Sequence, residues 1–384
     1  MKFIPTEEDF YYKIDEFLKR EHFKICGVEV GDFFKNQTVM ITGAGGSIGS
    51  ELAKEIIKHG PKKIILVDRS ESALFIIEQK LINLNYNVEL VPSTVNICDE
   101  FLFSNIYIQH KPHIIFHAAA HKHVSLMEIQ PIEAIYNNAI GTEIAARLAS
   151  EHGVQKFILV STDKAVNPTS VMGASKRLAE MFLMEKDIEV GNKCSFSIVR
   201  FGNIIGSSGS VLSVFYKQLC LGEPLTVTHS EATRYFMSIS EAIGSIIQSA
   251  LQSEGGEIFI FNMGCPVKII DLAHEAMKLF NLEPCKYIDI IYTGLKEGEK
   301  LREEAIHQIK NIEKSKHREI LILRNEKTRI NTSLIIKDFF SEFSNLSESN
   351  YRVKLWLASK IPEYMENYNN ALSKTNASAA ITPT

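Results

Sequence analysis

The sequence predicts an α/β fold, a doubly wound parallel sheet with a smaller, partly helical lobe beside it. Short β-branched runs, "TVMITG", "KKIILVD", "VELVPSTV", "HIIFHAA", "KFILVST" and "SFSIVRF", recur from about residue 37 and alternate with amphipathic stretches. Continuous apolar runs of this length are the pattern of strands buried on both faces of a parallel sheet, and their alternation with helices gives the doubly wound arrangement. Glycines close the first run at a strand-to-helix turn. After about residue 203 the rhythm loosens into "GSSGS", "THSEATRYFM" and "GLKEGEKLREE".

In chain order, residues 6–20 place Phe10, Tyr11, Ile14 and Leu18 at helical spacing, so residues 1–35 read as a helical extension that caps the core or packs on a partner subunit. Residues 36–203 read as the dinucleotide-binding domain. Residues 204–325 read mainly as the substrate lobe, although "EIFIFNMG" at about 257–264 has the character of a strand returning to the sheet. Residues 326–374 read as a C-terminal helical segment. The tail 375–384, "TNASAAITPT", lacks any packing pattern and is expected to be disordered.

With 45% hydrophobic and 23% charged residues in 384, the chain is an ordinary soluble globule able to bury a sizeable core. A net charge of -4 gives no electrostatic argument for nucleic acid or an anionic membrane, so any phosphate must be held locally. Cys26, Cys98, Cys194, Cys220, Cys265 and Cys285 show no metal-type spacing and are expected to be reduced core residues. The acidic N-terminus and the lack of an apolar run near ~20 residues predict a cytoplasmic protein without membrane spans.

"VMITGAGGSIGSELAKEI" sets Gly43, Gly46 and Gly49 between strand and helix, with Ser47 and Ile48 at the helix start. Glycines there allow a tight turn and close backbone approach, and the helix N-terminus offers N–H groups to a pyrophosphate. Asp68 ends the second run, 19 residues after Gly49 (68 minus 49). Its carboxylate suits the adenosine ribose hydroxyls and repels a 2'-phosphate, which favours NAD. The following Arg69 is the feature that would suit NADP.

Together with "HAAAHKHVSLME", "NNAIGT", "STDKAVNPTSVMGASKRLAE", "VRFGNIIGSSGSV", "THSEATRYFM" and "GLKEGEKLREE", this turn resembles the extended short-chain dehydrogenases, and more closely the UDP-N-acetylglucosamine 4,6-dehydratases of the polysaccharide-biosynthesis type. The resemblance covers residues 36 to 310 or so and is to forms without N-terminal membrane helices. It implies a Rossmann-like sheet, bound NAD, a UDP-sugar substrate and homo-oligomers associating through helices of the sheet domain. The implied reaction oxidises C4 of the hexose, eliminates water across C5 and C6, and returns the hydride to C6.

The resemblance carries roles residue by residue. Most relatives pair a tyrosine with a lysine one helical turn later; here Lys176 is in place and Met172 stands at the tyrosine position, where a thioether cannot act as a base. Thr162, Asp163 and Lys164 match positions implied to contact the C4 oxygen, protonate the leaving C6 hydroxyl and remove the C5 proton. In place of the phenol, Asp163 is expected to accept the C4 hydroxyl proton, through a water and with Thr162 orienting the oxygen. Burial and the Lys176 charge are expected to lower the Lys164 pKa towards neutrality, and Asp163 is expected to be raised enough to hold a proton.

Asn96 is implied to lie near the adenine, and Ala118 and Ala119 along the nicotinamide. Lys122 is implied to contact substrate, and Asn203, Arg234 and Glu299 to serve the diphosphate or uridine ribose, the arginine by its fork. His117, His121 and His123 suggest a metal, but the run follows a buried strand and no metal is assigned. Two rival readings stay open at this level, a UDP-sugar 4-epimerase and a non-catalytic cofactor-binding protein. The first has no need of the Asp163–Lys164 pair, and the second has no reason to keep it with Lys176.

Overall fold

The computed structural model describes residues 4–18, 28–189, 191–282, 288–304, 312–324 and 330–367. The expected disordered tail, Cys26 and Cys285 lie outside these residues. All six strand-like runs form parallel neighbours in one sheet: β1 (Thr38–Thr42), β2 (Lys63–Asp68), β3 (Glu89–Thr94), β4 (Ile114–His117), β5 (Lys156–Thr162) and β6 (Ser195–Phe201). Their order is 3-2-1-4-5-6, the doubly wound arrangement in which ligands bind beyond the carboxyl ends of β1 and β4, where the order reverses. The Glu257–Phe261 strand does return, parallel to β6, and antiparallel strands Ile320–Arg324 and Ile312–Lys314 complete nine.

The sheet centre follows from its residues. Every residue of β1 is buried, and the register pairs Met40 with Ile65 on one side and Ile115 on the other. Against expectation β3 is not buried on both faces: it is an edge strand whose residues are all half-buried or exposed. Pro92, which has no N–H to donate, is tolerable there.

One apolar layer lies between the sheet and the helices Glu100–His110, Gly141–Glu151 and Val171–Asp187, and it takes in Phe339, Trp356 and Leu357 of the C-terminal helices. These helices thus have part of their apolar surface covered by the chain's own C-terminal segment. The other layer holds the helices Val28–Phe34, Ser47–Ile56 and Ile239–Gln252. A third cluster builds the smaller lobe, and the N-terminal helix Glu7–Phe17 belongs to it: Phe10 and Ile14, both fully buried, pack with Leu212, Phe215, Ala273 and Phe280. Each such side chain contributes about 1.5–3 kcal/mol of transfer free energy. The helical period predicted this face; its partner is the far lobe.

Cys98 and Cys194 are buried, and Cys220 and Cys265 are exposed, which corrects the expectation that all are core residues. No helix among the described residues is long and apolar enough to cross a membrane.

Candidate functional site

The glycine turn is built as a cradle. Gly43 has φ +68°, and a Cβ there would lie 2.8 Å from the backbone of Ala118 and Ala119, so the turn and the loop after β4 touch. A Cβ on Gly49 would meet the Gly43 carbonyl oxygen at 2.1 Å, which only glycine allows. The helix beginning at Ser47 has no side chain capping its N-terminus. The Ser47 hydroxyl accepts from the Ser208 N–H at 3.2 Å, and Ile48 packs into the core beside it. Asp68 accepts the Gly45 N–H at 2.9 Å and the Ser70 N–H at 2.9 Å, fixing the carboxylate at the end of β2.

A cavity of about 200 Å³ runs from Gly43 and Gly46 past Asp68 and Arg69 to Asn96, with Ala118 and Ala119 on its other wall. Its glycine floor and ribose-height carboxylate fit a dinucleotide. The Asn96 amide oxygen accepts the Cys98 N–H at 3.0 Å, and Arg69 lies 3.4 Å from Glu133 across the mouth.

His117 is fully buried between two hydroxyls. The Thr142 hydroxyl donates to the Asn138 carbonyl at 2.7 Å, so it accepts from His117 Nε2 at 3.1 Å, and Nδ1 is left to accept from Thr42 at 2.9 Å. Burial, then the Lys176 charge, pushes the imidazole down to about 3 from its ordinary 6.5. Between those values the unfolded chain binds a proton that the fold does not, so stability is present above about 6.5 and lost as pH falls towards about 3. The slope is about 1.4 kcal/mol per pH unit. Denaturant midpoints of His117→Gln measured down this window should lack that slope.

Asn138 sits in a π-helical turn, Tyr136–Ile140, a feature frequent at functional sites. Its side chain accepts the His121 N–H at 2.7 Å and donates to the His121 carbonyl and the Ser175 hydroxyl, both at 3.0 Å. It thereby ties the loop after β4 to the Val171–Asp187 helix. His121 also meets Glu133 at 2.9 Å, the His123 ring packs against Gly209, and Lys122 is exposed on the same loop. The three histidines thus have separate partners.

The structure brings Thr162, Asp163 and Lys164 together where β5 ends. Asp163 Oδ1 accepts from the Thr162 hydroxyl at 2.9 Å and the Lys164 ammonium at 3.0 Å, while its buried Oδ2 has no hydrogen-bond partner among the described residues. A Cβ on Gly173 would lie 2.3 Å from the Lys164 carbonyl oxygen, so the following helix presses directly on this turn. Met172 is buried in that helix's first turn as part of the core, and Lys176, one turn on, donates to the Val160 carbonyl at 2.9 Å. Burial, opposed by Glu180, lowers the Lys176 amine to about 8.

Lys164 departs from expectation. Burial pulls its pKa down, but the carboxylates of Asp163 and Glu303 outweigh burial and hold it above its ordinary value. In the free protein Lys164 is therefore an ammonium clasped by acids.

The residues implied to serve the nucleotide are engaged by the protein itself. The Asn203 amide oxygen accepts the Lys164 ammonium at 3.0 Å. The Arg234 fork is not open: it donates to the carbonyls of Thr233 and Leu301 at 2.7 and 3.3 Å and to Glu299 at 2.9 Å. Glu299 is further fixed by the Thr228 hydroxyl at 2.9 Å. A diphosphate would have to replace Glu299 on the guanidinium.

Residues not singled out in the sequence complete the site. Glu303 lies 3.6 Å from Lys164 and 3.7 Å from Arg234. Glu128 accepts the Val171 N–H at 2.7 Å and meets Lys354 of the C-terminal Asn350–Lys360 helix at 2.8 Å, which braces the start of the Met172–Lys176 helix from outside the sheet. Glu303 stands within the quoted "KLREE"; Lys354 lies in no motif.

A family model described as polysaccharide biosynthesis protein matches residues 39–325. The capsular polysaccharide biosynthesis protein CapD of Staphylococcus aureus is 43% identical over 297 residues, covering 77% of this chain and 49% of that protein. A UDP-N-acetylglucosamine 4,6-dehydratase (inverting) of Campylobacter jejuni and a UDP-glucose 4-epimerase of Rickettsia rickettsii are each 31% identical, covering 71% of this chain and 78% of each relative. The chain thus spans about half the length of the capsular relative.

Proposed function

The chain belongs to the polysaccharide biosynthesis protein family, and from that premise we propose that it is an NAD-dependent 4,6-dehydratase acting on UDP-N-acetylglucosamine to give a UDP-4-keto-6-deoxy sugar. The observation that carries the reading is the buried Asp163–Lys164 contact of 3.0 Å at the end of β5. Elimination beside a C4 ketone needs an acid for the C6 hydroxyl and a base for the acidified C5 proton, and these are two adjacent groups of those kinds. A 4-epimerase needs neither.

The cradle of Gly43, Gly46 and Gly49 would hold the dinucleotide's pyrophosphate, and Asp68 would take its adenosine ribose hydroxyls. When bound, the nicotinamide supplies reversible hydride acceptance, from C4 and back to C6. Asp163 takes the C4 hydroxyl proton while Thr162 orients the oxygen, and Asp163 later gives a proton to the departing C6 hydroxyl. Lys164 removes the C5 proton and afterwards delivers to C5 one of its ammonium hydrogens, which exchange with solvent. Arg234, released from Glu299, binds the diphosphate.

Incubation with UDP-N-acetylglucosamine in deuterated water, followed by NMR and mass spectrometry, tests this. The expected product has lost one water and carries deuterium at C5, without added NAD. An intact mass with inverted C4 would make the protein an epimerase, and an unchanged sugar would refute the substrate.

A further inference from the structure

Proton bookkeeping at the Asp163–Lys164 pair leaves one proton too many. In the free protein the pair holds a single proton, on Lys164. Oxidation at C4 releases a hydroxyl proton to Asp163, which makes two. Elimination requires Asp163 protonated and Lys164 neutral, which is one. A third group must take the surplus while the C5 proton is removed, and must give it back before the next turnover.

We infer that Glu303 is this group: its carboxylate accepts the Lys164 proton after C4 oxidation and returns it after C5 is reprotonated. Glu303 acts through Lys164 and is a positioning residue for the acid–base pair. The assignment rests on the dehydratase reading and on geometry. Glu303 is buried, Oε1 lies 3.6 Å from the Lys164 ammonium, and Oε2 has no hydrogen-bond partner among the described residues, with the Lys300 ammonium 4.0 Å from it. Arg234 at 3.7 Å keeps the carboxylate aimed at Lys164. The charged groups facing the pair are thus Arg234 and Lys300 on one side and Asp163 on the other; Lys300 is itself anchored to the Val166 carbonyl at 2.7 Å.

The steps balance. The C4 hydroxyl proton passes to Asp163, which removes the carboxylate that most directly supports the Lys164 ammonium. Burial then favours neutral Lys164, and its proton moves to Glu303. Lys164 takes the C5 proton as Asp163 protonates the leaving C6 hydroxyl, so the original C4 proton departs in water. After hydride returns to C6, Lys164 gives its proton to C5 and recovers one from Glu303. Asp163, Lys164 and Glu303 end as they began.

The test compares Glu303→Gln and Glu303→Asp with wild type. In protein labelled with 13C at the lysine ε-carbon, the Lys164 resonance, assigned by its loss in Lys164→Arg, is titrated without substrate; its midpoint should fall in Glu303→Gln. With UDP-N-acetylglucosamine, kcat and C5 deuterium incorporation should fall together by about 100-fold, the lower end of general acid–base effects. KM should change little, a new ascending limb should appear towards high pH where solvent can deprotonate Lys164, and Glu303→Asp should recover part of the rate. A wild-type kcat and pH profile in Glu303→Gln, or a loss in KM alone, overturns the inference. If wild type itself eliminates no water, the dehydratase reading fails, and an unshifted Lys164 midpoint in Glu303→Gln then separately overturns the coupling. Should Glu303→Gln fail to fold, the same measurements on Glu303→Asp decide.

Discussion

Asp163→Ala is expected to lower turnover of UDP-N-acetylglucosamine by about 10²–10⁴-fold, the range for loss of a general acid–base group, with the protein still folded. Asp163 is fully buried, receives the Thr162 hydroxyl and the Lys164 ammonium on one oxygen and leaves the other without a partner. A carboxylate in that position has a free lone pair for a proton and a neighbour that exchanges protons with it. Met172 offers neither, being packed in the core. Asp163→Asn keeps the shape and loses the proton, so it should fall with Asp163→Ala, whereas a purely structural role would spare it. Steady-state kinetics beside a thermal melt decide. The account fails if Asp163→Ala keeps wild-type turnover while Met172→Tyr abolishes it.

The central strands were legible because a parallel strand inside the sheet is apolar without interruption, as in Val39, Met40 and Ile41, and the edge strand β3 was read by the same pattern although none of its residues is buried. The antiparallel strands Ile312–Lys314 and Ile320–Arg324 were not. They are short pieces at the sheet's rim: Ile320–Arg324 pairs with Glu257–Phe261 across some sixty residues of chain, Ile312–Lys314 pairs only with Ile320–Arg324, and no local period encodes the docking of the two on the sheet. The same limit applies to the N-terminal helix: Phe10 and Ile14 announce an apolar stripe, but not the Phe215 and Phe280 rings that meet it.

In the site, spacing carried the turn, Asp68 and the Thr162 to Lys176 stretch, because backbone geometry fixes how glycines and residues four apart stand to each other. Charge states were a different matter. Lys164 was expected to be lowered, and it is raised because Asp163 beside it and then Glu303, 139 positions along the sequence (303 minus 164), outweigh burial. Adjacent glutamates at 303 and 304 look alike in a sequence; in the fold the first is buried at Lys164 and the second meets Asn167 at 2.6 Å on the surface. Lys354 could not be foreseen, since its partner Glu128 is buried only once the C-terminal helix has docked.

Glu180→Ala is expected to destabilise the protein by about 3–5 kcal/mol, the cost of leaving a buried charge without its counter-ion. Glu180 is fully buried on the Val171–Asp187 helix and faces Arg200 on β6: Nε meets Oε1 at 2.8 Å, a second nitrogen closes on Oε2, and the Ser161 hydroxyl adds 2.7 Å to Oε1. Burial raises the Glu180 carboxyl, but Arg200, then Arg177 and Ser161, outweigh it and hold the group ionised. Truncation strands the Arg200 guanidinium, itself 5% exposed, between sheet and helix. The double variant Glu180→Leu/Arg200→Met removes both charges and fills the space, so it should be much closer to wild type than either single truncation. Urea midpoints at constant m would measure this. Equal losses in the single and double variants would mean that packing, rather than the ion pair, joins helix to sheet. Because Glu180 is also the charge that raises Lys176 against burial, Glu180→Ala should lower the Lys176 pKa further from about 8, linking the same buried pair to the state of the amine that donates to the Val160 carbonyl.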